Sequence, residues 1–187
     1  MEFDIADLDF FESREELEAI ILHEMGHVLG MGTLWGFNDL LINLQTSNPT
    51  YVGSSGVQAW QQLTGFNTGV PVSNVGGTGS RGSHWRESVL SNELMTPILN
   101  QGVNPLSIIT VAGLEDLGFE VNREAADNFV LLSTLEASII GVGGDTPIRP
   151  GRDTRSDYRC NCGLRVVKDF GGKPAVVMIN PEIHGEE

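Results

Sequence analysis

SREELEAIILHEMGHVLG, residues 13–30, is the stretch from which the rest of the chain is read. Leu17, Ile20, Ile21, Met25 and Val28 recur at helical spacing, Ser13 with Glu16 makes a capping box, and Gly30 stops the run. The pattern predicts a helix over about residues 14–29. Within it, His23-Glu24-Met25-Gly26-His27 is an H-E-x-x-H sequence. Histidines four apart on a helix stand one turn above each other on the same face, so both imidazoles can reach one ion. Glu24 then lies beside a water on that ion, where a carboxylate serves as general base. The run Leu22 to Leu29 is otherwise apolar, which argues against Glu24 being a solvated surface charge. Zinc is the expected ion, because imidazole ligands with an open fourth position suit it and lower the pKa of a bound water to about 7. These residues point to hydrolysis of a peptide or protein substrate, with no acyl-enzyme, since no G-x-S-x-G elbow or Cys-His arrangement competes.

A catalytic zinc needs a third protein ligand. The remaining histidines are His84 and His184. His184 lies in the acidic terminus PEIHGEE and reads as a solvated tail residue. His84 ends the glycine-rich stretch NVGGTGSRGSHW, residues 74–85, just before a tight turn, and is the favoured ligand. Glu87 and Glu93 are the carboxylate alternatives. Gly30 ends the helix and lets the chain turn sharply away beneath the site.

HEMGHVLGMG, a long interval and then GSHWRESVLSNELMTP resemble the leishmanolysin-like branch of the metzincins. Most metzincins carry H-E-x-x-H-x-x-G-x-x-H, but here Thr33 stands where the last histidine would be. The leishmanolysin-like branch places an insertion there, which residues 31–83 match, and YVGSSGVQAWQQLTG within it is similar to a segment of that family. The resemblance implies His84 as third ligand and NELMTP as the Met-turn, with Met95 packed beneath the metal. It implies an α+β, metzincin-like fold whose lower subdomain is mainly helix and loop, and a secreted or surface location. Only 22 residues precede His23, so the upper sheet of such a fold is expected to be largely missing and Met1 to be internal to a longer parent. That expectation leaves an alternative: a non-catalytic zinc-binding or adhesion module, or an inactive fragment of a peptidase.

Around this centre, MEFDIADLDF reads as a strand or extended segment, and residues 55–64 as a short helix inside the loop-rich insertion. A second helix is expected over about residues 105–117, ended by Gly118, and a third amphipathic segment near 123–135. GVGGDTPIRPGRDTRSDY resembles a linker, and CGLRVVKDFGGKPAVVMIN a strand pair turning at Gly171 and Gly172. The expected organisation is a catalytic-type domain over 1–135 followed by a linker and tail over 136–187.

Composition narrows the alternatives. With 187 residues, 40% of them hydrophobic, one domain with a real core is expected, and 23 glycines point to many loops. A net charge of -14 with only 11 Lys and Arg argues against nucleic-acid binding. No apolar run approaches the roughly 20 residues of a membrane span, and the first residues are acidic where a signal peptide would be basic. Cys160 and Cys162 form a C-x-C pair without a second pair, which reads as structural or unpaired.

Overall fold

The H-E-x-x-H sequence forms a helix, α1, over Leu17–Val28. In this computed structural model, residues 11–77, 79–100 and 102–131 are described, together with the backbone of 158–159, 165–168 and 174–177. The helix starts later than the capping-box reading placed it. Ser13 belongs to a preceding helical turn, Glu15 takes a left-handed φ of 59°, and the N-cap is Glu16 with no side-chain cap bond. Arg14 instead holds the Glu16 carboxylate at 3.0 Å, an ion pair that competes with capping.

The apolar side of α1 is not its buried side. Glu16, Ile20, His23 and His27 face inward, whereas Leu22, Met25, Val28 and Leu29 are each 40–46% exposed. The inward stripe follows the i, i+4, i+7 spacing of one helical face, with the histidines occupying core positions. At the C-terminus, Gly30 N–H donates to the His27 carbonyl and Met31 N–H to the Gly26 carbonyl, both at 3.0 Å. That is a Schellman ending, and Gly30 takes the positive φ, 107°, that it requires.

The insertion then folds into a small three-stranded antiparallel sheet, β1 (Leu41–Ile42), β2 (Thr50–Tyr51) and β3 (Val70–Pro71), in that order, with helix α2 (Ser54–Thr64) between β2 and β3. A short helix, α3 (Glu87–Leu90), and a strand, β4 (Ile98–Leu99), precede helix α4 (Ile108–Asp116). Ser107 caps α4 by accepting from Thr110 N–H. Helix α2 packs on α4, and the join is closed by a carboxylate. Gly53 at the N-cap of α2 has no side chain to offer, and Asp116 from the far end of α4 accepts from the N–H groups of Ser55 at 2.8 Å and Gly56 at 2.9 Å. Tyr51 donates its hydroxyl to the same carboxylate at 2.8 Å.

The core centres on Trp35, Tyr51 and Trp85, whose rings lie 4.5–5.2 Å apart, with Met31, Trp60, Val70, Val72, Leu90, Ile109 and Ala112 around them. Mixed helices and small antiparallel sheets make the chain α+β. The third expected helix is reduced to a 3-10 turn, Arg123–Ala125, followed by irregular chain to residue 131. Among its described residues only Phe129 is buried and Val130 is exposed, so this part of the chain turns no helical apolar stripe to the core. Strand β5 (Tyr158–Arg159) pairs antiparallel with β4, so the last residue of the linker reading is in a strand. Strands β6 (Arg165–Lys168) and β7 (Pro174–Val177) pair antiparallel with each other. The expected opening strand, the turn at Gly171 and Gly172, Cys160, Cys162 and His184 lie outside the described residues.

Candidate metal centre

His23 and His27 project from the buried side of α1, and His84 reaches them from the end of the glycine-rich loop. All three are at most 1% exposed. Each offers a ring nitrogen, and the three nitrogens lie within 4.8 Å of one another. His27 Nε2 is 3.0 Å from His23 Nε2 and 3.1 Å from His84 Nε2. Among the described residues no carboxylate joins this group, and neither Glu87 nor Glu93 is part of it.

The other ring nitrogens decide what these approaches mean. His23 Nδ1 donates to the Leu94 carbonyl at 2.7 Å, His27 Nδ1 to the Met31 carbonyl at 2.9 Å, and His84 Nδ1 to the Ser80 carbonyl at 3.1 Å. A carbonyl only accepts, so in each ring the proton sits on Nδ1 and Nε2 presents a lone pair. Burial holds all three rings neutral. It lowers His23 to about 4, lowers His84 to about 3 with the neighbouring His23 adding to the effect, and pushes His27 well down. Three buried lone pairs pointed at one another repel unless a cation lies between them. Two nitrogens on one tetrahedral zinc would stand about 3.3 Å apart, close to the spacing here, so the residues fit the ion.

The supporting carbonyls come from turns that the sequence builds for the purpose. The Schellman ending at Gly30 returns the chain so that Met31 O faces His27. Gly32, at φ 71°, lies so close to Ser83 that a Cβ would meet its carbonyl oxygen at 1.8 Å. Only glycine lets this turn lie against the residue before His84. On the far side, Arg81 ties the His84 loop down, its guanidinium donating to the carbonyls of Leu44 at 3.1 Å, Thr46 at 2.6 Å and Asn74.

Met95 is buried against α1, and its sulfur lies where a Cβ on Gly26 would meet it at 2.6 Å. Its carbonyl accepts from Trp85 N–H at 3.0 Å. Glu24 is half-buried on α1 beside the histidines, although the apolar residues around it in sequence are largely exposed. Its setting therefore comes from the helix phase and not from an apolar shell. Arg81 and the three carbonyl acceptors were not legible in advance: a backbone acceptor leaves no side-chain signal, and an arginine in a glycine-rich loop reads as a solvated charge.

A family model described as leishmanolysin matches residues 10–135, about two thirds of the chain. It extends past the part carrying the motifs to the end of the segment after α4. No curated protein and no solved structure matches the chain.

Proposed function

The chain belongs to the leishmanolysin family of metallopeptidases, and from that premise we propose that it is a zinc-dependent metalloendopeptidase with His23, His27 and His84 as ligands and Glu24 as general base. The observation that carries the reading is the convergence of three Nε2 lone pairs in a buried pocket, each fixed by a carbonyl on the opposite ring nitrogen. Zinc bound there would polarise a scissile carbonyl and lower the pKa of a water to about 7.

The protein's own groups supply the rest. The Nδ1–H bonds to Leu94, Met31 and Ser80 hold the rings in the ligating tautomer, so no reorganisation is needed on binding. Glu24 takes a proton from the attacking water onto its carboxylate oxygen and passes it to the leaving amine nitrogen. Met95 is a packing floor and not a ligand, its soft side chain filling the space left by Gly26. Residues 1–135 then form a metzincin-like catalytic domain, and 136–187 a linker and tail. The substrates are peptides or proteins, met at the cell surface or outside the cell.

Replacing Glu24 by Gln tests the base assignment. The variant should keep its zinc while peptide cleavage falls by about 10²–10⁴-fold. Cleavage at the unmutated rate would remove Glu24 from the reaction.

A further inference from the structure

Glu93 is fully buried, and a buried carboxylate is costly unless its oxygens are satisfied. One oxygen, Oε1, accepts from Thr110 Oγ1 at 2.5 Å, Ser107 Oγ at 2.7 Å and Ser107 N–H at 3.2 Å. The other, Oε2, accepts from Met95 N–H at 2.6 Å. The carboxylate thus joins the first turn of α4 to the loop of residues 93–95. That loop touches every segment that carries a histidine of the cluster. Leu94 O accepts from His23 Nδ1, Met95 O accepts from the N–H of Trp85 next to His84, and the Met95 sulfur rests on Gly26 between His23 and His27. A second tie reaches Trp85, whose indole N–H donates at 2.7 Å to Thr110 Oγ1, the hydroxyl that donates to Glu93.

We propose that Glu93 is the positioning residue of the metal centre, fixing the 93–95 loop so that its carbonyls orient the His23 ring and the chain at His84. The inference rests on the metal reading above. Burial pushes the Glu93 carboxyl pKa up and the surrounding hydrogen bonds oppose that shift; a carboxylate suits this place because all four of its contacts are with groups that can donate to it. Glutamine would set its amide N–H groups against either Met95 N–H or the Ser107 and Thr110 donors. The effect reaches the ion through the ligands' partners, a route by which such groups typically change metal affinity 10–100-fold.

The test loads the full chain with Co²⁺ and records its dissociation constant and visible ligand-field absorption. Four proteins are compared: the unmutated chain, Glu93→Gln, Thr110→Val, and Asp116→Asn as a destabilised control whose carboxylate is bonded to Tyr51, Ser55 and Gly56 and not to the 93–95 loop. Glu93→Gln is expected to bind cobalt about 10–100-fold more weakly with a shifted absorption band, and Thr110→Val to change both in the same direction by less. Asp116→Asn is expected to keep both while its melting temperature falls. Should Glu93→Gln fail to fold, Thr110→Val carries the test alone. Variants that melt earlier yet bind cobalt with unchanged affinity and spectrum would overturn the inference and leave the metal reading standing, as would a control shifted as much as the variants. An unmutated chain that takes up no cobalt would overturn the metal reading itself and the inference with it.

Discussion

Met95 and Gly26 are paired across the chain: the methionine sulfur occupies the space that a Cβ at position 26 would need, 2.6 Å from it. Gly26 is one of the two variable positions of the H-E-x-x-H sequence, so packing beneath the site decides what stands there. Gly26→Ala gains up to about 1 kcal/mol of helix propensity but overpacks a core position, at about 1–3 kcal/mol. The net expectation is a lower melting temperature in the single variant. In a Met95→Ala background the same substitution should become neutral or stabilising, and a double-mutant cycle by thermal unfolding reads the coupling. Additive effects would mean that the two residues do not touch.

Asp116 is expected to stabilise the join of α2 and α4 as a cap supplied from another helix. Asp116→Ala removes the partner of the Ser55 and Gly56 N–H groups and of the Tyr51 hydroxyl. The loss should be about 1–2 kcal/mol in denaturant unfolding. An unchanged midpoint and slope would show the carboxylate to be dispensable.

The histidine cluster gives the metal-free chain a pH dependence of definite sign. The folded-state values of about 4 for His23 and about 3 for His84, with His27 also well down, lie below the ordinary 6.5 of the unfolded chain. Between those limits the unfolded chain binds more protons, so stability rises with pH there. The contribution is complete above about 6.5 and is lost as the pH falls toward 4 and then 3. Melting temperatures of the metal-free protein should therefore drop through this window. A triple variant with His23, His27 and His84 replaced by glutamine should be flatter, and equal slopes in the two proteins would contradict this origin.

Arg81 acts on the centre from a distance through the loop that carries His84. Arg81→Ala releases the carbonyls of Leu44, Thr46 and Asn74 and loosens the segment whose Ser80 carbonyl holds His84. Zinc affinity measured by chelator competition is expected to fall about tenfold or more, in the range of other supporting-residue losses. Unchanged affinity would make the latch a matter of loop stability alone.

The sequence was most legible where local chemistry and global packing agree. His23 and His27 at helical spacing, Gly30 as the helix stop, the short helix in the insertion and the helix ended by Gly118 are all found close to where their residues placed them. It misled where local signals compete. Ser13 and Glu16 have the letters of a capping box, but Arg14 claims the glutamate and the helix begins three residues later. The apolar run Leu22 to Leu29 suggested shelter for Glu24, but the histidines and Ile20 take the core side and leave Leu22, Met25, Val28 and Leu29 outward. Hydrophobic periodicity finds a helix, but it does not say which stripe is turned in when polar ligands hold the buried positions. Glu93 was legible as a carboxylate near the centre and not as an anchor, since its partners Ser107 and Thr110 come from α4. The two-residue strands of the insertion sheet are too short to show a period.

The central claim is that His23, His27 and His84 together hold one zinc ion. The most direct measurement is zinc stoichiometry by elemental analysis of the purified 187-residue chain, alongside His84→Ala. The account expects one zinc per chain, lost or much weakened in the variant. Zinc retained unchanged without His84, or no zinc in the unmutated chain, would contradict it.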